Sequence, residues 1–144
     1  MHETDGLIGT AKELGVAHVA FSPLGHGWVV DEFNHNSPDD YAEDDFRRAA
    51  PKFQGEYFYK SRAIIEEIKK LAARKGCPTS QIALAWVGSQ EMVAILNTTK
   101  SRWLEENWAS RDMDLMSEEK NQMRKVIDTA KPLGDQHSST HQAM

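Results

Sequence analysis

Residues 95–107 read ILNTTKSRWLEEN. The stretch closes an apolar run, residues 93–96, with two threonines and a lysine, and a charged segment with helical spacing follows at once. A strand ending in hydroxyls, an ammonium and a helix start gathers hydrogen-bond donors and the positive end of a helix dipole at one point. An anion suits such a junction, and a phosphate is its natural guest. Hydroxyl side chains also cap helices routinely. Thr98, Thr99, Lys100 and Ser101 therefore carry two readings, an anion-accepting turn or a plain cap.

Working outward from this junction, the spacing predicts a short strand over 92–96 and a helix over 102–110. Ser117 caps a last helix in which Met123, Val126, Ile127 and Ala130 repeat at one face. Upstream, Pro78 and Thr79 open a helix whose core, 82–87, is apolar nearly all round, with Trp86 as its largest anchor. Residues 56–75 form a longer amphipathic helix, with Ile64, Ile65, Ile68, Leu71 and Ala72 on one side, and Gly76 stops it. Residues 28–55 are a long polar connection rich in Asp, Asn and Pro, and loops of such length are commonly functional or disordered. Before it, residues 16–21 read as a buried strand ending at a Ser-Pro turn. The chain opens on a short helix over 4–14, in which Leu7, Ile8, Ala11 and Leu14 share a face and Gly15 follows.

Composition bounds the function. With 144 residues and 40% hydrophobic content, the chain has material for one modest core. A net charge of −5 argues against nucleic acid or an anionic membrane surface as partner. The single cysteine, Cys77, excludes an internal disulfide, fits a reducing compartment and reads as a small apolar residue at the core's edge. No run approaches the length of a membrane-spanning helix and residues 1–5 lack the features of a signal peptide, so a cytoplasmic location is expected.

The predicted order is helix, strand, long loop, two helices, strand, helix, helix, which argues for a parallel α/β sheet with covering helices. Two parallel strands are too few for such a sheet, whose members need neighbours at both edges. The chain reads as part of something larger. Four motifs, VAFSPLGHGW (19–28), DDFRRAAPKFQGEYFYKS (44–61), GCPTSQIALAWV (76–87) and NTTKSRWLEENW (97–108), occur in this order. Together they resemble the C-terminal portion of an aldo-keto reductase, closest to the microbial and plant pattern S-P-L-G-R-G, D-D-F-R-R-x-x-P-R-F-Q-G-E and I-P-G-T-T-K-x-x-x-L-E-E-N. The likeness runs from about residue 3 to residue 130. It implies a partial (β/α)8 TIM barrel, with residues 17–21 as the seventh strand and 93–96 as the eighth. A complete barrel takes about 250 residues. Residues 1–131 are then the C-terminal part of the reductase barrel and 132–144 a flexible polar tail.

In the reductases that this chain resembles, NADPH is the cofactor and a small-molecule aldehyde or ketone the substrate. The resemblance implies that Thr98, Thr99, Lys100 and Arg102 receive the 2′-phosphate, while Glu106 and Asn107 address the adenine. It assigns Ser22, Leu24, Gly25 and Gly27 to the pyrophosphate, where glycines let backbone approach a ligand closely. An ordinary Ser-Pro turn is the competing reading. The chain departs from the pattern at Leu96-Asn97, where Pro-Gly is usual, and at His26, where the pattern's permanent Arg charge is replaced by one mostly absent above pH ~7. In the loop 28–55 the same likeness makes Trp28, Phe33 and Phe53 walls of the substrate pocket, with Arg47, Arg48 and Lys52 as charge.

No metal is expected. The acidic run Asp39, Asp40, Glu43, Asp44 and Asp45 lacks the alternation and glycine of a calcium loop, and His137 and His141 lack further ligands. The family's proton-donating tyrosine and its lysine, aspartate and histidine partners lie on earlier strands, and Tyr41, Tyr57 and Tyr59 do not occupy the matching motif. No catalytic residue is therefore assigned. The expected function is that of a truncated NADPH-dependent aldo-keto reductase. The alternatives are a non-catalytic nucleotide-binding or regulatory subunit and an inactive shortened product.

Overall fold

A computed structural model describes residues 2–130. Helix α1 (His2–Glu13) leads through the positive-φ residue Gly15 into strand β1 (His18–Phe21). A long excursion with three 3₁₀ turns, Pro38–Asp40, Phe46–Arg48 and Pro51–Phe53, then delivers the chain to helix α2 (Gly55–Lys75). Helix α3 (Thr79–Ser89) precedes strand β2 (Met92–Ile95), helix α4 (Ser101–Ala109) follows, and α5 (Ser117–Ala130) is the last described element. The strands pair in parallel, His18 beside Met92 and Phe21 beside Ile95, so both end at the same edge.

The helices follow the predicted pattern within a few residues. In α2, Ile65, Ile68, Leu71 and Ala72 are buried as the periodicity requires, and Gly76 ends the helix at φ 67°, a left-handed conformation that only glycine adopts without strain. The second half of α2 packs with Ile82 and Ala85 of α3, Leu115 just before α5, Met123 of α5, and Cys77 at the edge. Burial pushes the Cys77 thiol above its ordinary range, as expected of a structural cysteine.

Two expectations are corrected. Residues 16–21 are not buried throughout, because Val19 and Phe21 are more than half exposed, and their register partners Val93 and Ile95 likewise. The period-2 alternation of a strand sends these four side chains to one face, and among the described residues nothing covers it. Nor are Trp28, Phe33 and Phe53 chiefly walls of a pocket. All three join Tyr41, Ala50, Phe58 and Ile65 in a second core cluster, and only Phe33 also reaches the main cavity. Trp28 explains this, since its ring meets Phe33, Phe53 and Phe58 at centroid distances of 5.2 Å and its indole N–H donates to the Tyr41 hydroxyl. Fully burying a large apolar side chain contributes about 1.5–3 kcal/mol, enough for several rings to fold a polar loop around themselves.

The apolar stripe expected over 4–14 is similarly uncovered at Leu7 in α1 and at Leu14 just beyond its end. The acidic run is used locally. Asp40 and Ser37 form a capping box at the first 3₁₀ turn, while Asp45 caps the second. The tail expected over 132–144, its His137 and His141, and Lys131 lie outside the described residues.

Candidate cofactor site

The turn after β1 is built from left-handed backbone. Ser22 leaves the strand at φ 50°, and Gly25, His26 and Gly27 follow at 60°, 58° and 84°. Such conformations are strained in non-glycine residues and concentrate at functional sites. The Ser22 carbonyl accepts from the Gly25 N–H at 2.9 Å, and the Leu24 carbonyl from the N–H groups of Trp28 and Val29, both at 3.1 Å. At Gly25 an added Cβ would meet the Trp28 Cβ at 3.5 Å, an ordinary contact, so it is the φ of 60° rather than lack of space that favours glycine here.

His26 stands where the family pattern has Arg, yet a guanidinium reaches the turn from elsewhere. Arg47 Nη1 donates to the His26 carbonyl at 3.2 Å, and Arg47 lies 4.5 Å from the Tyr41 ring centroid. Its other nitrogens embrace Asp45 at 2.6–3.1 Å. Those side-chain bonds hold the Asp45 carboxyl below its usual range and raise Arg47 further. The charge at this turn is thus a paired one.

The turn after β2 leaves the N-terminus of α4 open. Lys100 is the N-cap residue, and no side chain caps the helix. The Thr98 hydroxyl instead accepts from the Lys100 N–H at 3.2 Å, bracing the turn itself. Plain capping by Ser or Thr is therefore not what these residues do here. The Lys100 ammonium lies 4.2 Å from the Trp103 ring centroid, and Arg102 pairs with Glu32 at 2.7 Å. Uncapped N–H groups, an exposed lysine and two threonine hydroxyls form a donor set that fits a phosphate.

Both turns stand at the carboxyl ends of the paired strands, where parallel α/β proteins place their ligands. Ser22, Leu24, Gly27, Thr98 and Asn107 line one cavity of about 740 Å³, with Phe21, His26, Glu32, His35, Asn97 and Trp103. Thr98, Thr99, Lys100 and Asn107 line a second of about 720 Å³ on the other side of the turn, with Leu104 and Trp108. Gly25, Arg102 and Glu106 line neither cavity. Glu106 turns toward α3, where Oε1 accepts from the Ser80 hydroxyl and its carbonyl accepts from Gln81 Nε2 at 2.9 Å. Ser80, Trp103, Glu32 and His35 did not emerge from the sequence as site-proximal.

Paired parallel strands, helices between them and loops converging at one strand end mark an α/β protein. The sequence matches the model of the Aldo/keto reductase family over residues 1–128. An aldo-keto reductase of Gibberella moniliformis is 49% identical over 96% of this chain, aldo-keto reductase str7 of Strobilurus tenacellus 37% over 92%, and aldo-keto reductase yakc [NADP(+)] of Schizosaccharomyces pombe 32% over 90%. The chain belongs to the aldo/keto reductase family. It spans 42%, 39% and 38% of the length of these relatives. Two solved structures share the fold. The glycerol dehydrogenase of Gluconobacter oxydans superimposes with a TM-score of 0.76 at 24% identity, over 89% of this chain and 39% of that one. A thermostable aldo-keto reductase in complex with the inhibitor epalrestat gives 0.56 at 23%, over 86% and 34%.

Proposed function

We propose that this chain forms the cofactor side of an NADPH-dependent aldo-keto reductase that converts aldehydes and ketones to alcohols. In this reading β1 and β2 are the seventh and eighth strands of an eight-stranded barrel, and the helices after them complete the last two βα units. The observation that carries it is the joint opening of the Ser22–Gly27 and Thr98–Asn107 turns onto one cavity at the carboxyl ends of paired parallel strands.

The cofactor, when bound, supplies the hydride that the carbonyl carbon accepts. The chain's own residues bind and orient. Thr98, Thr99 and Lys100, with the open N-terminus of α4, hold the 2′-phosphate, and Arg102 joins them when it leaves Glu32. Asn107 offers an amide donor and acceptor to the purine, with Glu106 beside it. Ser22, Leu24, Gly25 and Gly27 shape the pyrophosphate turn, and the Arg47–Asp45 pair steadies it from behind. No residue of this chain matches the family's proton-donating tyrosine or its partners, so the 144-residue chain alone is expected not to turn over a carbonyl substrate.

The test is a full-length reductase in which residues 1–128 replace the matching segment of the Gibberella moniliformis relative. Titration of this chimera by protein fluorescence should show NADPH binding at least tenfold tighter than NADH, the consequence of one charge-assisted contact worth about 1.5–3 kcal/mol. Equal affinities would end the phosphate reading.

A further inference from the structure

One residue that the cofactor reading does not use ties the wall of the main cavity to the helix layer. Asp31 stands between Val30 and Glu32, and these two line that cavity together with Phe33. Asp31 does not line it. Its Oδ1 accepts the Thr79 N–H at 3.0 Å and the Thr79 hydroxyl as well, across 48 residues of chain. Thr79 opens α3 and is only 1% exposed, and neither the helix's own N-cap residue, Pro78, nor an acidic residue of its first turn caps it. Asp31 therefore supplies from another part of the chain what the local sequence withholds: an acceptor for a first-turn N–H and a negative charge at the positive end of the helix.

The neighbouring holds on this segment are of a different kind. Glu32 pairs with Arg102, but both side chains are more than half exposed, and exposed pairs contribute little. Trp28 and Phe33 are fixed by the aromatic core, and the Phe33 carbonyl accepts from Lys69 at 2.7 Å. Between those two rings, the polar hold that reaches a buried partner is the Asp31–Thr79 pair. Leaving the N–H and hydroxyl of Thr79 without their acceptor is costly, because both are out of reach of water.

We propose that Asp31 is a positioning residue for the main cavity: by bonding the first turn of α3 it holds Val30 and Glu32 in place before a ligand enters. The ordering of the wall is then complete on folding and is not charged against binding. Apparent affinity scales with the fraction of molecules whose wall is in place. The effect is common to NADPH and NADH, since Asp31 bonds to none of the residues assigned to the 2′-phosphate. This rests on the cofactor reading above for its ligand, and on the hydrogen bonds alone for the ordering of the wall.

The experiment uses the same full-length chimera, read first by hydrogen–deuterium exchange without cofactor and then by titration with NADPH and with NADH. Asp31→Ala should speed exchange over 29–33 and in the first turn of α3, while the second half of α2 and α5 keep their protection. Both cofactors should bind about 3- to 10-fold more weakly, part of what one hydrogen bond to a charged group is worth, with the NADPH-to-NADH ratio unchanged. Asp31→Asn keeps an acceptor oxygen and should recover most of both readouts. Thr79→Val removes only the hydroxyl and should give the same changes to a smaller degree. Unaltered exchange over 29–33 in Asp31→Ala, even with a lowered melting temperature, overturns the proposal and leaves Asp31 as a cap of α3. So does unchanged affinity for both cofactors, and so does a loss confined to NADPH, which would place Asp31 in the phosphate contact. If the unaltered chimera binds neither cofactor, the cofactor reading falls and the exchange measurement alone decides this one.

Discussion

At Lys100 two attractions compete. The ammonium lies over Trp103, 4.2 Å from the ring centroid and exposed to solvent, an arrangement worth about 0.5–1 kcal/mol. A phosphate would offer it a charge-assisted contact of roughly 1.5–3 kcal/mol, so the stronger attraction draws the side chain from the ring to the anion. Lys100→Ala in the full-length chimera should weaken NADPH by about tenfold while leaving NADH within about twofold, which calorimetry with both cofactors measures. Equal weakening of the two would place Lys100 outside the phosphate contact. The same scale shows what the sequence could reveal. Thr98 and Gly27 were legible because a hydroxyl between strand and helix, or a glycine in a left-handed turn, is a statement about local backbone. The engagements of Glu106 by Ser80 and of Arg102 by Glu32 were not legible, because their partners stand 26 and 70 residues away along the chain. A residue's type tells what it can donate or accept, but only the fold tells to whom.

Helices α2 and α5 were readable from periodicity because a buried stripe leaves its repeat in the sequence, while α3 was readable as a nearly all-apolar block behind Pro78. The excursion between β1 and α2 left no such trace. Its rings at Trp28, Phe33, Tyr41 and Phe53 have irregular spacing among Asp, Asn and Pro, so the segment reads as polar while its aromatics make a core. Glu119 at the start of α5 offers a test of how these helices hold together. Burial alone would favour its neutral form, but the Met116 N–H at 2.8 Å and Lys75 at 3.0–3.1 Å outweigh that, and its carboxyl is lowered below the usual 4.5. A carboxyl lowered in the folded state stabilises above its unfolded value, and that contribution is lost as the pH falls through the lowered one. Amide protection of α5 in the full-length chimera should therefore decline on acidification below the ordinary glutamate range. Glu119→Gln should show lower protection at neutral pH and a flatter acid profile. A variant with the same acid profile as the parent would assign the loss to other groups. At Gly76 a side chain meets no atom within 4 Å, so Gly76→Ala should cost only the left-handed strain of about 1–2 kcal/mol, seen as a lowered denaturation midpoint.

On the scale of the whole molecule, the sheet is the unfinished part. Val19, Phe21, Val93 and Ile95 form an apolar face that is more than half exposed, and β1 and β2 are, among the described residues, paired only with each other. Leu7 of α1, Leu14 just after it, and Leu104 and Trp108 of α4 add further exposed apolar surface. Parallel sheets are stable when both faces are covered, and an open strand edge is a template for another chain. The two core clusters, by contrast, are built from α2, α3, α5, the segments flanking them and the aromatic loop, and include no residue of either strand. The helical side of the molecule therefore has its own packing and the sheet side depends on what covers it. This division sets the expected behaviour of the 144-residue chain alone. Its helical content should persist while the sheet region seeks apolar partners, giving a species that binds hydrophobic dyes, sediments as a distribution of oligomers and melts over a broad range. Replacing Val19, Phe21, Val93 and Ile95 together by threonine keeps β-branching or strand preference while removing much of the apolar attraction, and should shift the distribution toward monomer. Sedimentation velocity and a thermal scan followed by circular dichroism measure both. A monomer with a single sharp transition in the unaltered chain would mean that the two strands are covered well enough by the chain's own helices.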